Sequence, residues 1–464
     1  MEKLTVCKGC FTDWNDVDFQ CQWCGWCPDM GPGMGSAGEW SVGTLLEKRY
    51  LLGNIYLKTV DGYTVWRVYD RHLDIKCFFL AAESENVHWL AKIAWGFAER
   101  PEGGIKVLGL KEFSGKYVLI FGMKDNFLPI GTFRGMVHPR EENVDSVPGR
   151  VDPQINAAVR EVVLPEDTLL GGRYQIIGCL GIGGFGIMYL CEDILLQRDV
   201  AVKEYFPEKW AEREGIYVGS RTSGTLQAYR FGLSSFLEEA KITAKFIDVE
   251  HIVTAFDVFQ ENDTAYIVME YVPGKSIAKE FRKREFRPYS PYRTVEILVP
   301  VLLALKELHG QQVIHGDLSP GNIMRTPKGE IVLIDFGAAR YYLEKGKKRV
   351  IPFLKTDYAA PEQFRAVRTG SSGEEGPWTD IYAVGAIMYY FLTGHKPADA
   401  MTRMSARSSK LEPPKKYGVK LKKGWMKLIH RCVELEYKKR ISSCQTVVEE
   451  MLNLLKHEKD RKEV

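Results

Sequence analysis

The chain of 464 residues is 45% hydrophobic and 27% charged, with a formal net charge of +3. That is the balance of an ordinary globular protein with a large core, at a length that suits about three domains. The charge lies too near balance to make nucleic acid the main partner, and no apolar run reaches the ~18 residues of a membrane span.

The N-terminus, MEKLTVCKGC, lacks the charged-then-apolar form of a secretory signal. A cytoplasmic location is therefore expected, where ten cysteines point to metal or buried thiols rather than disulfides. Five of them lie in residues 1–38. Cys7 and Cys10 form one CxxC pair and Cys21 and Cys24 a second. Two such knuckles can close a tetrahedral thiolate site, and a segment this poor in apolar residues would draw its folding energy from the metal. The spacing resembles a zinc ribbon with structural zinc. Iron is the rival metal, because rubredoxin-like knuckles use similar spacing, and Cys27 competes through a further CxxC in CQWCGWC.

Residues 40–135 read as a globular unit rich in Trp, Phe and Tyr. Residues 136–165 are charged, carry four prolines and lack a period, so they read as a linker or wrapping arm. Residues 166–456 form the largest unit, strands first and helices later. Within it, GIGGFG places Gly181, Gly183 and Gly186 in a GxGxxG pattern around Ile182, Gly184 and Phe185. Alone this is a weak signal, since dinucleotide-binding folds use the same letters before a helix. Here a strand-like segment, IMYLCED, follows, and a second, VAVKEYF, carries Lys203. A helix over 234–246 offers Glu238 or Glu239 as its partner. HGDLSPGN at 315–322 reads as a tight loop between an apolar helix (295–308) and the strand IVLIDFG (331–337). IYAVGAIMYYFLTG at 381–394 reads as a buried core helix, and the tail KHEKDRKEV as a frayed helix end.

These motifs, in this order, resemble a Hanks-type, eukaryotic-like protein kinase of bacterial character over residues 170–450. The resemblance implies an α+β, bilobal fold: a small antiparallel-sheet N-lobe and a helical C-lobe. It implies ATP and magnesium as cofactors and protein Ser/Thr hydroxyls as acceptors. The family's FxxEA pattern matches at Phe236–Ala240 and assigns Glu239 to Lys203; an insertion near 208–230 explains the long spacing between them. The glycine loop, Met188, Ala201, Met269 as gatekeeper, and Glu270 and Val272 on the hinge match the ATP-binding positions. Asp317 matches the residue that accepts the acceptor proton, and Asn322 and Asp335 match the magnesium ligands. Glu362 and Arg440 match a structural pair, Thr356 the structural threonine, and Asp380 the aspartate that ties down the catalytic loop.

Two departures stand in the loop. Gly316 replaces the family's arginine before the catalytic aspartate, so ordering of the activation segment by a phosphate is not expected. Consistently, Ala338–Lys355 contains no Ser or Thr, only Tyr341 and Tyr342. Ser319 replaces a lysine that contacts the γ-phosphate, which should slow transfer. HGDLxPGN also resembles aminoglycoside-type small-molecule phosphotransferases. A nucleotide-binding pseudokinase scaffold and such a phosphotransferase remain the alternative readings. The basic residues Arg340, Lys345, Lys347, Lys348 and Arg349 suit a solvated face or an acidic substrate.

A repeat runs beneath residues 40–135. KRYLLGNIYLKTVDGYTVWRVYD aligns with GRYQIIGCLGIGGFGIMYLCED, HWLAKIAWGF with LEEAKITAKF, and IKVLGLKEFSGKYVLIFGMKDN with IVTAFDVFQENDTAYIVMEYVPG. This order suggests a degenerate second N-lobe. Its glycine loop has become LKTVDGYT, its strand-lysine position falls near Phe79 or Leu80, and its helix-glutamate position falls on Leu90. Such a lobe would dock on the kinase domain or mediate self-association.

Overall fold

The structure, a computed structural model, describes residues 40, 44–58, 64–83, 90, 93–94, 105–113, 116–123, 162–247, 249–336, 340–341, 357–369, 374–406 and 410–459. The five N-terminal cysteines, residues 59–63, most of the 136–165 linker and residues 342–356 lie outside them. The chain divides into two compact units: residues through Asp248 with Thr254–Tyr271, and Val249–Val253 with Val272 onward.

The first unit holds two six-stranded sheets. One is built from β1 (Leu45–Leu46), β2 (Tyr50–Lys58), β3 (Thr64–Asp70), β4 (Ile75–Glu83), β5 (Ile105–Phe113) and β6 (Lys116–Met123), in the order β1-β2-β3-β4-β6-β5. The other uses β7 (Leu169–Leu170), β8 (Tyr174–Gly183), β9 (Gly186–Asp193), β10 (Arg198–Tyr205), β13 (Ala255–Glu261) and β14 (Thr264–Glu270), in the order β7-β8-β9-β10-β14-β13. Between β10 and β13 come a hairpin, β11 (Ala211–Glu214) and β12 (Tyr217–Ser220), and helix α1 (Leu226–Ala244). The expected insertion is thus a folded hairpin, and the helix begins earlier than the expected 234. Tyr229 in its first turns is buried against Tyr205, which gives the early turns a tertiary anchor.

The two sheets agree in more than order. All their pairings are antiparallel. Asp70 pairs with Ile75 as Asp193 pairs with Arg198. The edge strands β5 and β13 shift register at one matching place, between Val107 and Gly109 and between Ala255 and Asp257. The turn after β1 places Glu47 and Lys48 at φ 48° and 56°, and the turn after β7 places Gly171 and Gly172 at 55° and 62°. Glycine takes that left-handed backbone without a Cβ clash; Glu and Lys do not. Each turn leads into Arg-Tyr, and each arginine forms a buried pair with the aspartate ending the third strand: Arg49 with Asp70 at 2.7 Å and Arg173 with Asp193 at 2.5 Å.

The first sheet buries one apolar face around Phe78, Leu80, Leu90, Leu110 and Phe121. Its other face is aromatic: Tyr50, Phe79 and Phe113 meet with centroids 5.1–5.6 Å apart. The described aromatics of the segment are therefore mostly core, not surface.

The second unit is mostly helical: α2 (Ile277–Lys283), α3 (Pro291–Gly310), α4 (Pro361–Thr369), α5 (Pro377–Thr393), α6 (Ala400–Ser405), α7 (Lys423–Cys432) and α8 (Cys444–Lys459). Ser290 caps α3 by accepting from Arg293 N–H, and Pro291 takes the first turn, where no N–H is needed. The 381–394 run forms the body of α5, which is buried from Thr379 to Thr393 and stops at Gly394, φ 80°. Helix α8 packs on α3 and α7 on α5. Short strands β15 (Lys275–Ser276), β16 (Val313–Ile314), β17 (Ile323–Arg325), β18 (Ile331–Leu333) and β19 (Arg340–Tyr341) carry the loops. No helix among the described residues is long and apolar enough to cross a membrane. The five described cysteines are free, and four are buried.

Candidate active site

In the first unit, strands β8 and β9 close a hairpin at Gly183 and Gly186. A strand follows the glycines, which removes the dinucleotide-fold reading. A Cβ on Gly186 would overlap the Glu204 carbonyl, so the close approach itself requires glycine there. Gly181, Ile182 and Gly184 on this hairpin are exposed, and Phe185 is half-buried.

Lys203 lies on β10, paired across to Met188 on β9 and Ile267 on β14. Its ammonium sits 2.7 Å from Glu239 Oε1, with side chains 11% and 7% exposed. Glu238, the other option, is 58% exposed and reaches Lys241. The sheet fixes the lysine and the buried helix face fixes the glutamate, which settles that choice. Ala201 pairs with Met269, and both are buried. Glu270 ends β14 half-buried, with Lys106 Nζ at 3.0 Å.

Behind Lys203, sequence reasoning missed a buried network. Glu204 accepts from Tyr189 at 2.9 Å, Tyr266 at 3.0 Å and Arg213 at 2.5 Å. Arg213 also donates to the Val162 carbonyl, and Tyr189 accepts from Leu164 N–H. The inserted hairpin therefore ties the end of the linker to the lysine strand. AEREG gave no sign of this, because its arginine looks like any solvated charge.

In the second unit, the 315–322 octet runs from β16 into a turn at Pro320–Asn322 and on into β17. Asn322 Nδ2 donates to the Asp317 carbonyl at 2.8 Å and to its carboxylate at 3.2 Å. Ile334 N–H donates to the Asn322 carbonyl, which brings Asp335 beside the loop. Asp335 holds φ 63°, a conformation costly for a residue with a Cβ and typical of functional positions. Val272 is buried in this unit. The oxygens of Asp335 and the Asn322 amide suit a hard cation such as magnesium.

The loop's backbone is fixed from below. Asp380 accepts from His315 and Gly316 N–H, each at 2.9 Å, and lies 2.8 Å from His309 Nε2. Burial pushes the Asp380 carboxyl upward, but His309 and the loop amides outweigh it and hold it below the usual carboxylate range. Gln363 Nε2 donates to the Gly316 carbonyl at 2.7 Å. Gly316 itself has φ 73°, so the residue that replaces the arginine sits where glycine is favoured. Neither His309 nor Gln363 was singled out in the sequence. Glu362 and Arg440 form a fully buried pair at 2.7 Å, with Thr379 donating to the same carboxylate.

Residues 174–453 match the protein kinase domain family. The chain belongs to the protein kinases. A "Probable serine/threonine-protein kinase" of Clostridium acetobutylicum is 29% identical over 295 residues, 62% of this chain and 40% of that one. The serine/threonine-protein kinase PrkC of Bacillus subtilis is 32% identical over 237 residues, 51% of this kinase and 33% of PrkC. The chain thus aligns with well under half the length of either relative. Among solved structures, the apo form of PpkA-294 superposes with a TM-score of 0.53 at 26% identity, covering 62% of this kinase and 99% of that chain.

Proposed function

We propose that this kinase transfers the γ-phosphoryl group of ATP to Ser or Thr hydroxyls of proteins. The observation that carries the reading is the buried 2.7 Å bond between Lys203 and Glu239, because a charge pair taken out of water needs a use or a compensating network. Lys203, oriented by Glu239, holds the α- and β-phosphates, and the 181–186 hairpin covers them with backbone N–H groups. Met188, Ala201, Met269, Glu270 and Val272 hold the adenine. Asp335 and Asn322 hold magnesium, which when bound neutralises charge on the phosphates. Asp317 orients the acceptor hydroxyl and takes its proton. Gly316 makes this a kinase whose activity does not need Ser/Thr phosphorylation of the activation segment, and Ser319 puts turnover at the low end of the family's roughly 1–100 per second.

Residues 40–135 are read as a degenerate N-lobe, supported by the shared strand order and bulge. Cys7, Cys10, Cys21 and Cys24 are read as a closed structural zinc site of a cytoplasmic protein. The experiment is incubation with labelled ATP, magnesium and a generic protein acceptor, beside Asp317→Asn. Label on serine or threonine that disappears in the variant supports the reading. Nucleotide binding without transfer would move it to a pseudokinase scaffold, and label only on small acceptors to a small-molecule phosphotransferase.

A further inference from the structure

The two sheets of the first unit meet through matching strands. Strand β5 lies against β13, its counterpart in order and bulge. Arg49, already paired to Asp70, reaches across to Asp257 and to the Val258 carbonyl. The reciprocal arginine, Arg173, reaches back to the position matching Asp257, which is Gly109: a Cβ there would lie 2.8 Å from Arg173 Nη1. Contacts that return in exchanged form are the mark of a two-fold interface.

The symmetry is broken in its chemistry. Among the described residues, Arg49, Arg173, Arg198, Lys111 and Lys106 bring five cations to this junction, against the carboxylates of Asp70, Asp193, Asp257 and Glu270. Arg173 Nη1 is buried without a hydrogen-bond partner, and it faces Gly109. Asp257 stands between the sheets: burial raises its carboxyl, and Arg49, Lys111 and Arg173 more than reverse that.

The first sheet also grips the elements that carry the Lys203–Glu239 pair. Arg198, first residue of the Lys203 strand, donates to the Val107 and Leu108 carbonyls at 3.2 and 3.4 Å. Lys245, just past the end of the Glu239 helix, pairs with Asp74 at 3.0 Å. Leu195 and Leu196, in the turn before β10, pack against the first sheet's core.

We propose that the first sheet is a built-in mate of the nucleotide-binding sheet, docked about an approximate two-fold, and that Arg49, Arg198 and Lys245 are positioning residues that keep Lys203 and Glu239 in register. This rests on reading the second sheet as the ATP-binding part of a kinase.

The test uses the full chain and three variants. Gly109→Leu wedges the sheets apart without touching an ATP-site residue. It is expected to raise the KM for ATP and lower kcat/KM by about ten-fold, within the usual range of coupling between sites, while thermal unfolding stays cooperative. Gly109→Asp places a carboxylate where the two-fold calls for one, beside the unpartnered Arg173 nitrogen, and is expected to keep wild-type kinetics. Asp74→Lys is expected to cost roughly two- to five-fold in kcat/KM, the reach of a half-exposed ion pair, and Asp74→Lys with Lys245→Asp to restore it. That pair carries the test if Gly109→Leu does not fold. A folded Gly109→Leu with unchanged KM and kcat, or a charge swap that restores nothing, overturns the proposal. A wild-type chain without Asp317-dependent transfer overturns the kinase reading instead.

Discussion

The two sheets of the first unit share strand order, pairing, bulge and turn geometry, yet among the described residues only one carries a charge pair at its centre. In β10 the residue paired to Met188 and Ile267 is Lys203. In β4 the matching residue, paired to Val65 and Leu119, is Leu80. Opposite Lys203 stands Glu239; in the core around Leu80 stands the helical Leu90, and both leucines are fully buried. One scaffold thus supports either a buried ion pair or a hydrocarbon core at one place. The hydrocarbon version is the cheaper to hold, because no charge leaves water. Among the described residues the ion pair stands in one sheet alone, which is the basis for placing the proposed chemistry there.

That comparison can be broken at several points. Lys203→Met strips a buried carboxylate of its cation, a change worth ~3–5 kcal/mol, and should abolish transfer in the labelled-ATP assay. Leu80→Met, at the matching place, keeps volume and should cost less than ~1.5 kcal/mol with activity intact. Loss of activity in both would mean that the sheets are not divided as described. Arg440→Met removes one half of a fully buried pair with Glu362 and should lower stability by ~3–5 kcal/mol in chemical denaturation.

Acid unfolding sharpens the role of the junction. Asp257 is held below the usual carboxylate range in the folded chain. Its stabilising contribution is therefore complete above its unfolded value of about 3.9 and shrinks as pH falls from there toward the folded value. Asp257→Asn should be less stable than wild type at neutral pH, with the gap narrowing below about pH 4 in pH-dependent denaturation. An unchanged gap would mean that the carboxylate's charge is not what joins the sheets. The smallest effect lies in the turns. Replacing Glu47 and Lys48 by glycines, as in the matching 171–172 turn, relieves two left-handed residues and should raise stability by ~1 kcal/mol in a thermal melt.

Most of the candidate site was legible because each part is a short contiguous segment whose chemistry fixes its residue types: GIGGFG, VAVKEYF, HGDLSPGN and IVLIDFG. Glu239 over Glu238 was legible only through the family's FxxEA pattern, because helical period alone left both open; the structure brings Glu239 to Lys203. What stayed hidden depends on residues far apart in the chain. Arg49 and Asp257 are separated by 208 positions, and neither is unusual where it stands. The one local hint was the Arg-Tyr after each tight turn, which the repeat alignment contained without revealing its partner. The family's spacing revealed an insertion near 208–230 but not its 211–220 hairpin, because the insertion's charged residues gave no apolar period to read.

The most direct measurement is the stoichiometry of nucleotide binding, by calorimetric titration of the full chain with a non-hydrolysable ATP analogue and magnesium. One site per chain is predicted, weakened by Lys203→Met and unaffected by Leu80→Met. Two sites per chain, or binding that Leu80→Met weakens and Lys203→Met does not, would contradict the division of labour between the two sheets.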